Sequence, residues 1–134
     1  MTTDSPQPAA HDAPHVGAPA TGTRPTTLDP GAGYLTVINT YAIAPERAEE
    51  LLNLLVRATV ETLRYVPGFI SANFHVNLDR TQVVNYSQWR NREALAAAGA
   101  DPKVMARIRE AGSVATGFTP IQYELRESVA APGA

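Results

Sequence analysis

The chain has 134 residues, a formal net charge of −2 and no cysteine, with 44% hydrophobic and 18% charged residues. This length suits one domain with a modest core. The charge gives no reason to expect nucleic acid or an anionic membrane as a partner, and the lack of cysteine excludes disulfides, thiolate metal sites and cysteine nucleophiles. The sequence shows no apolar run near the ~20 residues of a membrane span and no secretory signal, so we expect a cytoplasmic protein.

Residues 1–32 are predicted to form a disordered leader rich in Pro, Ala and Thr, because they hold six of the eleven prolines and almost no large apolar residue. Such a segment buries too little apolar surface to offset its ordering entropy. Its histidines, His11 and His15, have a helical spacing, but an intervening proline argues against a helix and a metal site. A folded domain is predicted over 33–127, followed by a flexible tail over 128–134.

The pattern of apolar residues predicts the element order β-α-β-β-α-α-β. Alternating apolar residues are typical of strands, and apolar residues three to four apart are typical of helices. Strands are predicted over 33–43, 69–78, 81–89 and 118–127, and helices over about 45–65, 91–98 and 101–111. In the second strand the alternation predicts one apolar face, formed by Ile70, Ala72, Phe74, Val76 and Leu78. A short turn at 79–80 makes the middle strands a hairpin, and Pro120 places the last strand at an edge.

This order is that of the ferredoxin-like split β-α-β-β-α-β unit, an α+β fold with helices on one face of an antiparallel sheet. The other face of the sheet also needs a cover. Val84 and Tyr86 lie on that face and predict a second sheet packed against it. We therefore expect a homodimer that closes an α+β barrel.

Two carboxamides interrupt the apolar faces of predicted strands. Asn39 interrupts the first strand, and Asn85 interrupts the third, where Trp89 lies on the same face. A buried amide must find hydrogen-bond partners or lose roughly 1–3 kcal/mol. The pattern leaves two interpretations open: a core indole beside backbone-bonded amides, or a pocket wall for a flat ligand.

Three further polar residues carry two interpretations each. His75 is the only histidine of the predicted domain, and is either an exposed strand residue or a base active near neutral pH. Arg107 and Arg109 fall on the last turns of the third predicted helix. Arginines there either complement the helix dipole or face a pocket.

The run VPGFISANFHVNLDRTQVVNYSQW at 66–89, with REAL and GADP after it, resembles the antibiotic biosynthesis monooxygenases of bacterial aromatic polyketide pathways. The resemblance covers about residues 33–127. It implies a dimeric α+β barrel enzyme that oxidises an anthrone-type aromatic polyketide to a quinone. It further implies that O2 is the co-substrate and that neither a metal nor an organic cofactor is used.

Site residues follow from the same resemblance. It implies that Asn85 and Trp89 are the active-site amide and indole, and that Asn39 is a second amide. It also implies a pocket arginine, which is Arg109, or Arg107 in an alignment shifted by one residue. All five are expected to serve catalysis.

The resemblance also implies substrate contacts from four further residues, Phe74, His75, Tyr41 and Leu95. Related proteins carry tyrosines at the positions of Phe74 and Leu95, so a mechanism that needs a phenol at either position does not transfer. For this reason two other functions stay open: a non-oxidative polyketide cyclase or isomerase on the same fold, and a non-catalytic module that binds aromatic ligands.

Overall fold

A computed structural model describes residues 23–133 of the chain. The earlier part of the predicted leader, with His11 and His15, lies outside the described residues. Within residues 23–133, four strands and three α-helices follow one another in the predicted order. Their bounds are Leu35–Ala42 (β1), Ala48–Glu61 (α1), Phe69–Val76 (β2), Gln82–Trp89 (β3), Arg92–Ala100 (α2), Pro102–Gly112 (α3) and Gly117–Glu124 (β4).

The strands form one antiparallel sheet in the order β2-β3-β1-β4. The helices pack on one face, which we call the inner face; the opposite face is the outer face. This arrangement confirms the predicted ferredoxin-like α+β fold. β4 is an edge strand, as Pro120 indicates, because a proline there removes no bond from the middle of the sheet. In the described range no helix is long and apolar enough to cross a bilayer.

Helix α1 follows the spacing of its apolar residues. It begins after a 3-10 turn at Pro45–Arg47, where the fixed φ of proline suits a helix start. Buried Ala48, Leu51 and Leu55 recur at three to four residues and face the sheet. The predicted helix over 45–65 is therefore a shorter α-helix with a 3-10 turn at each end.

The turn after α1 requires glycine. Gly68 has a φ of 90°, a conformation that side-chain-bearing residues rarely adopt. A Cβ atom at this position would collide with Ala94 of α2. The Gly68 carbonyl also accepts a 2.7 Å hydrogen bond from the backbone N–H of Arg90. Glycine therefore allows the first turns of α2 to pack closely against the start of β2.

The β2–β3 hairpin differs from its prediction at the loop. The strands close at Asn77 and Gln82 rather than around a two-residue turn, because Asn77 Oδ1 accepts hydrogen bonds from the N–H groups of Thr81 and Gln82 at 2.8 and 2.9 Å. Leu78, assigned above to the apolar face of β2, is 99% exposed in this loop. Asparagine side chains commonly form hydrogen bonds with nearby backbone groups in turns.

A β-bulge between Phe69 and Ser71 corrects the predicted faces of β2. The extra residue, Ile70, shifts the alternation by one position. Phe69 therefore pairs with Trp89 on the inner face, where the alternation had placed Ile70. From Ser71 to Val76 the predicted faces are confirmed.

The core between sheet and helices consists of two apolar clusters. The first cluster lies at the end of the sheet where β3 begins and contains Tyr41, Ile43, Ala48, Leu51, Leu55, Val83, Ala111 and Val114. The second cluster lies at the end where β3 ends and contains Val37, Leu63, Val66, Trp89, Ala94, Ala98 and Val104. The boundary between the two clusters positions the site described below.

Residues 23–32 were included in the predicted leader, but part of this segment packs on the outer face. The Thr26 hydroxyl donates to Asn73 Oδ1 at 2.6 Å. The side-chain amide of buried Gln88 donates to the Thr27 carbonyl and to Ser71 Oγ, both at 2.9 Å. A buried amide needs such partners, so the polar side chains of the outer face hold this segment.

Candidate active site

A row of four side chains crosses the inner face from β2 to β4. The register pairs Phe74 with Asn85, Asn85 with Asn39, and Asn39 with Pro120. Opposed residues of antiparallel strands project to the same face, with their Cα atoms about 4.5–5.5 Å apart. The structure therefore brings the two predicted carboxamides together as direct cross-strand neighbours, and Phe74 lies beside one of them.

This row lies at the boundary between the two apolar clusters. Along β1, Asn39 stands between Val37 of the second cluster and Tyr41 of the first. Along β3, Asn85 follows Val83 of the first cluster on the same face. The carboxamides are therefore polar groups with apolar neighbours on both sides of the row, as in the wall of a small-molecule pocket.

The carbonyl of Asn85 lacks a partner. Asn85 is 9% exposed, and its buried Oδ1 has no hydrogen-bond partner among residues 23–133. Such an atom costs about 1–3 kcal/mol, and in native proteins it commonly marks a site of function or a bound molecule. Turning the amide over exchanges its oxygen and nitrogen but leaves one end unpaired at the same place. A ligand would break no bond at this end of Asn85, but it reaches the buried atom only when the side chains that cover it move aside.

Trp89 is packed more tightly than the carboxamides. Its ring meets Phe69 edge-on, with the ring centroids 5.3 Å apart, inside the second cluster. The indole N–H donates to Ser87 Oγ at 3.3 Å, and the Ser87 hydroxyl donates to the Val37 carbonyl at 3.0 Å. Asn85 and Trp89 are four residues apart on β3, which separates their Cα atoms by about 13 Å. The indole thus forms an apolar wall, and its N–H must exchange one bond before it donates to a ligand.

Tyr41 is two residues after Asn39 on β1, so both side chains lie on the inner face. Its ring packs against Phe118 of β4, with centroids 4.9 Å apart. Burial raises the pKa of Tyr41 from 10.0 to about 12, because the apolar surroundings disfavour the phenolate. At neutral pH the hydroxyl is protonated, so Tyr41 is suited to donate a hydrogen bond and not to act as a base.

A shallow hollow of about 620 Å³, largely open to solvent, lies between α2 and β4. Since Pro120 is the cross-strand partner of Asn39, the hollow borders the carboxamide row. Leu95, a predicted substrate contact, lines it. The complete lining is Arg92, Leu95, Ala96, Pro120 and Gln122.

The structure does not bring the other predicted residues to the carboxamides. Arg107 forms an ion pair with Glu61 of α1. Arg109 is exposed in the last turn of α3, and neither arginine lines the hollow. His75 is exposed and pairs with Val84, so its side chain lies on the outer face. These three residues lie outside the row and outside the lining of the hollow, and their expected roles in the site stay predictions.

Sequence reasoning missed four of the five residues that line the hollow, namely Arg92, Ala96, Pro120 and Gln122. Pro120 was recognised only as a mark of an edge strand, because the β1–β4 register joins segments about eighty residues apart in the chain. Gln122 lies on the same face of β4 and was missed for the same reason. Arg92 did carry a signal: a cation in the first turn of a helix opposes the usual charge preference.

Comparisons with known proteins agree with this architecture. The family model described as antibiotic biosynthesis monooxygenase matches residues 34–110. Tetracenomycin-F1 monooxygenase of Streptomyces glaucescens is 38% identical over 105 residues, which are 78% of this chain and 93% of that protein.

Solved structures show the same likeness. A monooxygenase encoded by ActVA-Orf6 of Streptomyces coelicolor, crystallised with nanaomycin D, is 30% identical, with a TM-score of 0.67 over 77% of this chain and 96% of the other. SnoaB of Streptomyces nogalater, a cofactor-independent oxygenase, is 16% identical, with a TM-score of 0.65 over 72% and 97% of the two chains, and shares the fold. From the family match and the 38% identity, the chain is an enzyme of the antibiotic biosynthesis monooxygenase family.

Proposed function

We propose that the protein is a cofactor-independent monooxygenase that oxidises an anthrone-type aromatic polyketide to a quinone with O2. The observation that supports this most directly is the facing pair Asn39 and Asn85, with the Asn85 carbonyl buried and unpaired. The relative at 38% identity is a monooxygenase named for tetracenomycin F1. The reaction needs bound and oriented oxygen functions on a flat substrate, and two carboxamides supply both donors and acceptors for them.

The chemistry can proceed on the substrate itself. An anthrone CH2 between two aromatic rings loses a proton to give a delocalised carbanion. This anion passes one electron to O2, and the radical pair combines to form a C–O bond. Protonation gives a hydroperoxide, which loses water to leave the ketone of the quinone. In sum, the CH2 group and O2 become C=O and H2O, so no external reductant is required.

The residues of the row favour this sequence by binding the anion. Amide N–H groups of Asn39 and Asn85 donate to the oxygen that carries the negative charge, and the unpaired carbonyl of Asn85 accepts from a substrate hydroxyl. Phe74 and the wall formed by Trp89 exclude water from the reacting carbon. Neutral Tyr41 is placed one row away as a further hydrogen-bond donor.

Oxygen consumption tests this proposal. With a dihydroxyanthrone as substrate, the wild-type enzyme should consume one O2 for each quinone formed. Asn85→Ala and Asn39→Ala should each lower kcat by about 10²-fold, the usual cost of losing one oxyanion donor. Asn53→Ala, an exposed asparagine of α1, is the matched control and should keep full activity.

Other outcomes would assign a different function. Conversion of a polyketide to an isomer without O2 consumption would indicate a cyclase or isomerase. Tight binding without turnover, with or without O2, would indicate a non-catalytic binding module. If both carboxamide variants keep near-full oxygenase activity while remaining folded, these residues are not the site.

We also propose that the outer face pairs with a second copy of the chain. Ile121 and Tyr123 of β4 are 46% and 45% exposed on this face, and Ile38 and Tyr86 continue its apolar surface. Light scattering on the purified protein should give the mass of a dimer. Tyr123→Arg should shift it to the monomer, because an unpaired buried charge is costly at an interface.

A further inference from the structure

Arg92 has a position without an evident role in folding. It is the first residue of α2, directly after the N-cap Asn91, whose side chain accepts a 2.9 Å hydrogen bond from the N–H of Ala94. The start of a helix carries a partial positive charge and favours acidic residues. A cation there opposes the preference, and departures of this kind concentrate at functional positions.

No carboxylate of residues 23–133 neutralises Arg92. Ion pairs in the described part of the chain involve other arginines, namely Arg47, Arg57, Arg80, Arg107 and Arg126. The hollow that Arg92 lines holds one further polar side chain, Gln122, and is otherwise lined by Leu95, Ala96 and Pro120. The hollow therefore combines apolar side chains with the exposed guanidinium of Arg92, which no carboxylate of the described residues pairs, and this favours an aromatic ligand that carries an anionic group.

The sheet links this charge to the carboxamides. Pro120 lines the hollow and is the cross-strand partner of Asn39, which in turn faces Asn85. Two strand spacings put Pro120 about 10 Å from Asn85. If the reacting carbon lies over the carboxamides, as the proposed function requires, a fused aromatic ring system would extend across β1 and β4 towards the hollow.

We propose that Arg92, assisted by Gln122, binds a carboxylate on the distal ring of the substrate and selects carboxylated polyketides over uncharged analogues. This inference rests on the proposed function. The guanidinium group matches a carboxylate with two parallel hydrogen bonds, and the apolar walls contact the ring that bears it. The role is recognition, so Arg92 affects which substrate is bound and not the chemistry at the reacting carbon.

The test compares two substrates that differ in one group: a dihydroxyanthrone carboxylate and the same dihydroxyanthrone without the carboxylate. Arg92→Gln should lower kcat/KM for the carboxylate by roughly 10- to 100-fold, mainly through KM, because a charged hydrogen-bonded pair is lost. Arg92→Gln should change kcat/KM for the uncharged substrate by less than about twofold. Arg92→Lys should recover part of the preference, since the charge remains. Arg90→Gln, an exposed arginine outside the hollow, is the control.

Binding of the corresponding anthraquinones, measured by calorimetry, provides a readout that needs no turnover. Wild-type protein should bind the carboxylate more tightly than the uncharged quinone, and Arg92→Gln should remove that difference. If the wild type turns over both substrates and Arg92→Gln leaves their ratio unchanged, the recognition role is overturned and the proposed function stands. If neither substrate consumes O2 but binding still depends on Arg92, the oxygenase proposal fails and the recognition role stands. Equal binding of both quinones by the wild type overturns the recognition role.

Discussion

Replacing Asn85 by leucine should stabilise the protein and inactivate it. Leucine has a similar shape but no polar group. The buried, unpaired Asn85 carbonyl costs about 1–3 kcal/mol, so its removal should raise the free energy of unfolding by about 1–2 kcal/mol. In a domain of this size, that corresponds to a rise in Tm of roughly 5–10 °C. Without the amide, kcat should fall by about 10²- to 10³-fold.

The matched control is Asn73→Leu, which changes the same residue type on the neighbouring strand. Asn73 is satisfied: its amide donates to the Tyr86 carbonyl at 3.0 Å and to Ser71 Oγ at 3.3 Å. Its loss removes these two bonds and the acceptor of the Thr26 hydroxyl, and should lower the free energy of unfolding by about 1–2 kcal/mol. Urea unfolding at one protein concentration measures both variants, since a dimer would make stability depend on concentration.

The opposite signs of the two changes are the decisive result. If Asn85→Leu destabilises the protein by more than about 1 kcal/mol, as Asn73→Leu should, the Asn85 amide is a satisfied structural group. The reasoning that assigns it to ligand binding would then be refuted. An active Asn85→Leu variant would refute it equally.

Three further predictions concern the surroundings of the site. Between pH 10 and 12 the free energy of unfolding of the wild type should fall by about 2–3 kcal/mol, whereas that of Tyr41→Phe should not show this loss. The reason is that Tyr41 has a pKa of about 12 in the folded state and near 10 in the unfolded chain. Parallel plots of unfolding free energy against pH for the two proteins would contradict this. Gly68→Ala should lower the free energy of unfolding by about 1–3 kcal/mol or more, because Gly68 has a positive φ and an added Cβ would clash with α2. Gly99→Ala, in open space within α2, should leave the Tm unchanged or raise it in a thermal melt. Gln88→Leu should speed hydrogen exchange of residues 23–32, since it removes the bond to Thr27; unchanged exchange would show that this segment is held by other contacts.

The order of elements was predictable because it depends on local patterns. Alternating apolar residues mark β1 and β3, and the spacing of Ala48, Leu51 and Leu55 marks α1. The inward position of Asn39 and Asn85 follows from the same alternation. A bulge changes this count without a local signal, and for that reason Phe69 and Ile70 exchanged their predicted faces.

Pairings between distant segments were not predictable from the chain. That Asn39 faces both Asn85 and Pro120 depends on the register of three strands, which the packing of the whole inner face determines. The docking of residues 23–32 likewise depends on polar groups of β2 and β3 that are far away in the sequence.

The sequence by itself therefore determined the fold class, the family and the residues that turn inward, because each is a property of neighbouring positions along the chain. Only the tertiary structure decided which of those residues meet. It paired Arg107 with Glu61, left Arg109 exposed, turned His75 to the outer face and brought Arg92 to the hollow beside Pro120. Contacts across a sheet depend on register and packing, which local patterns do not specify.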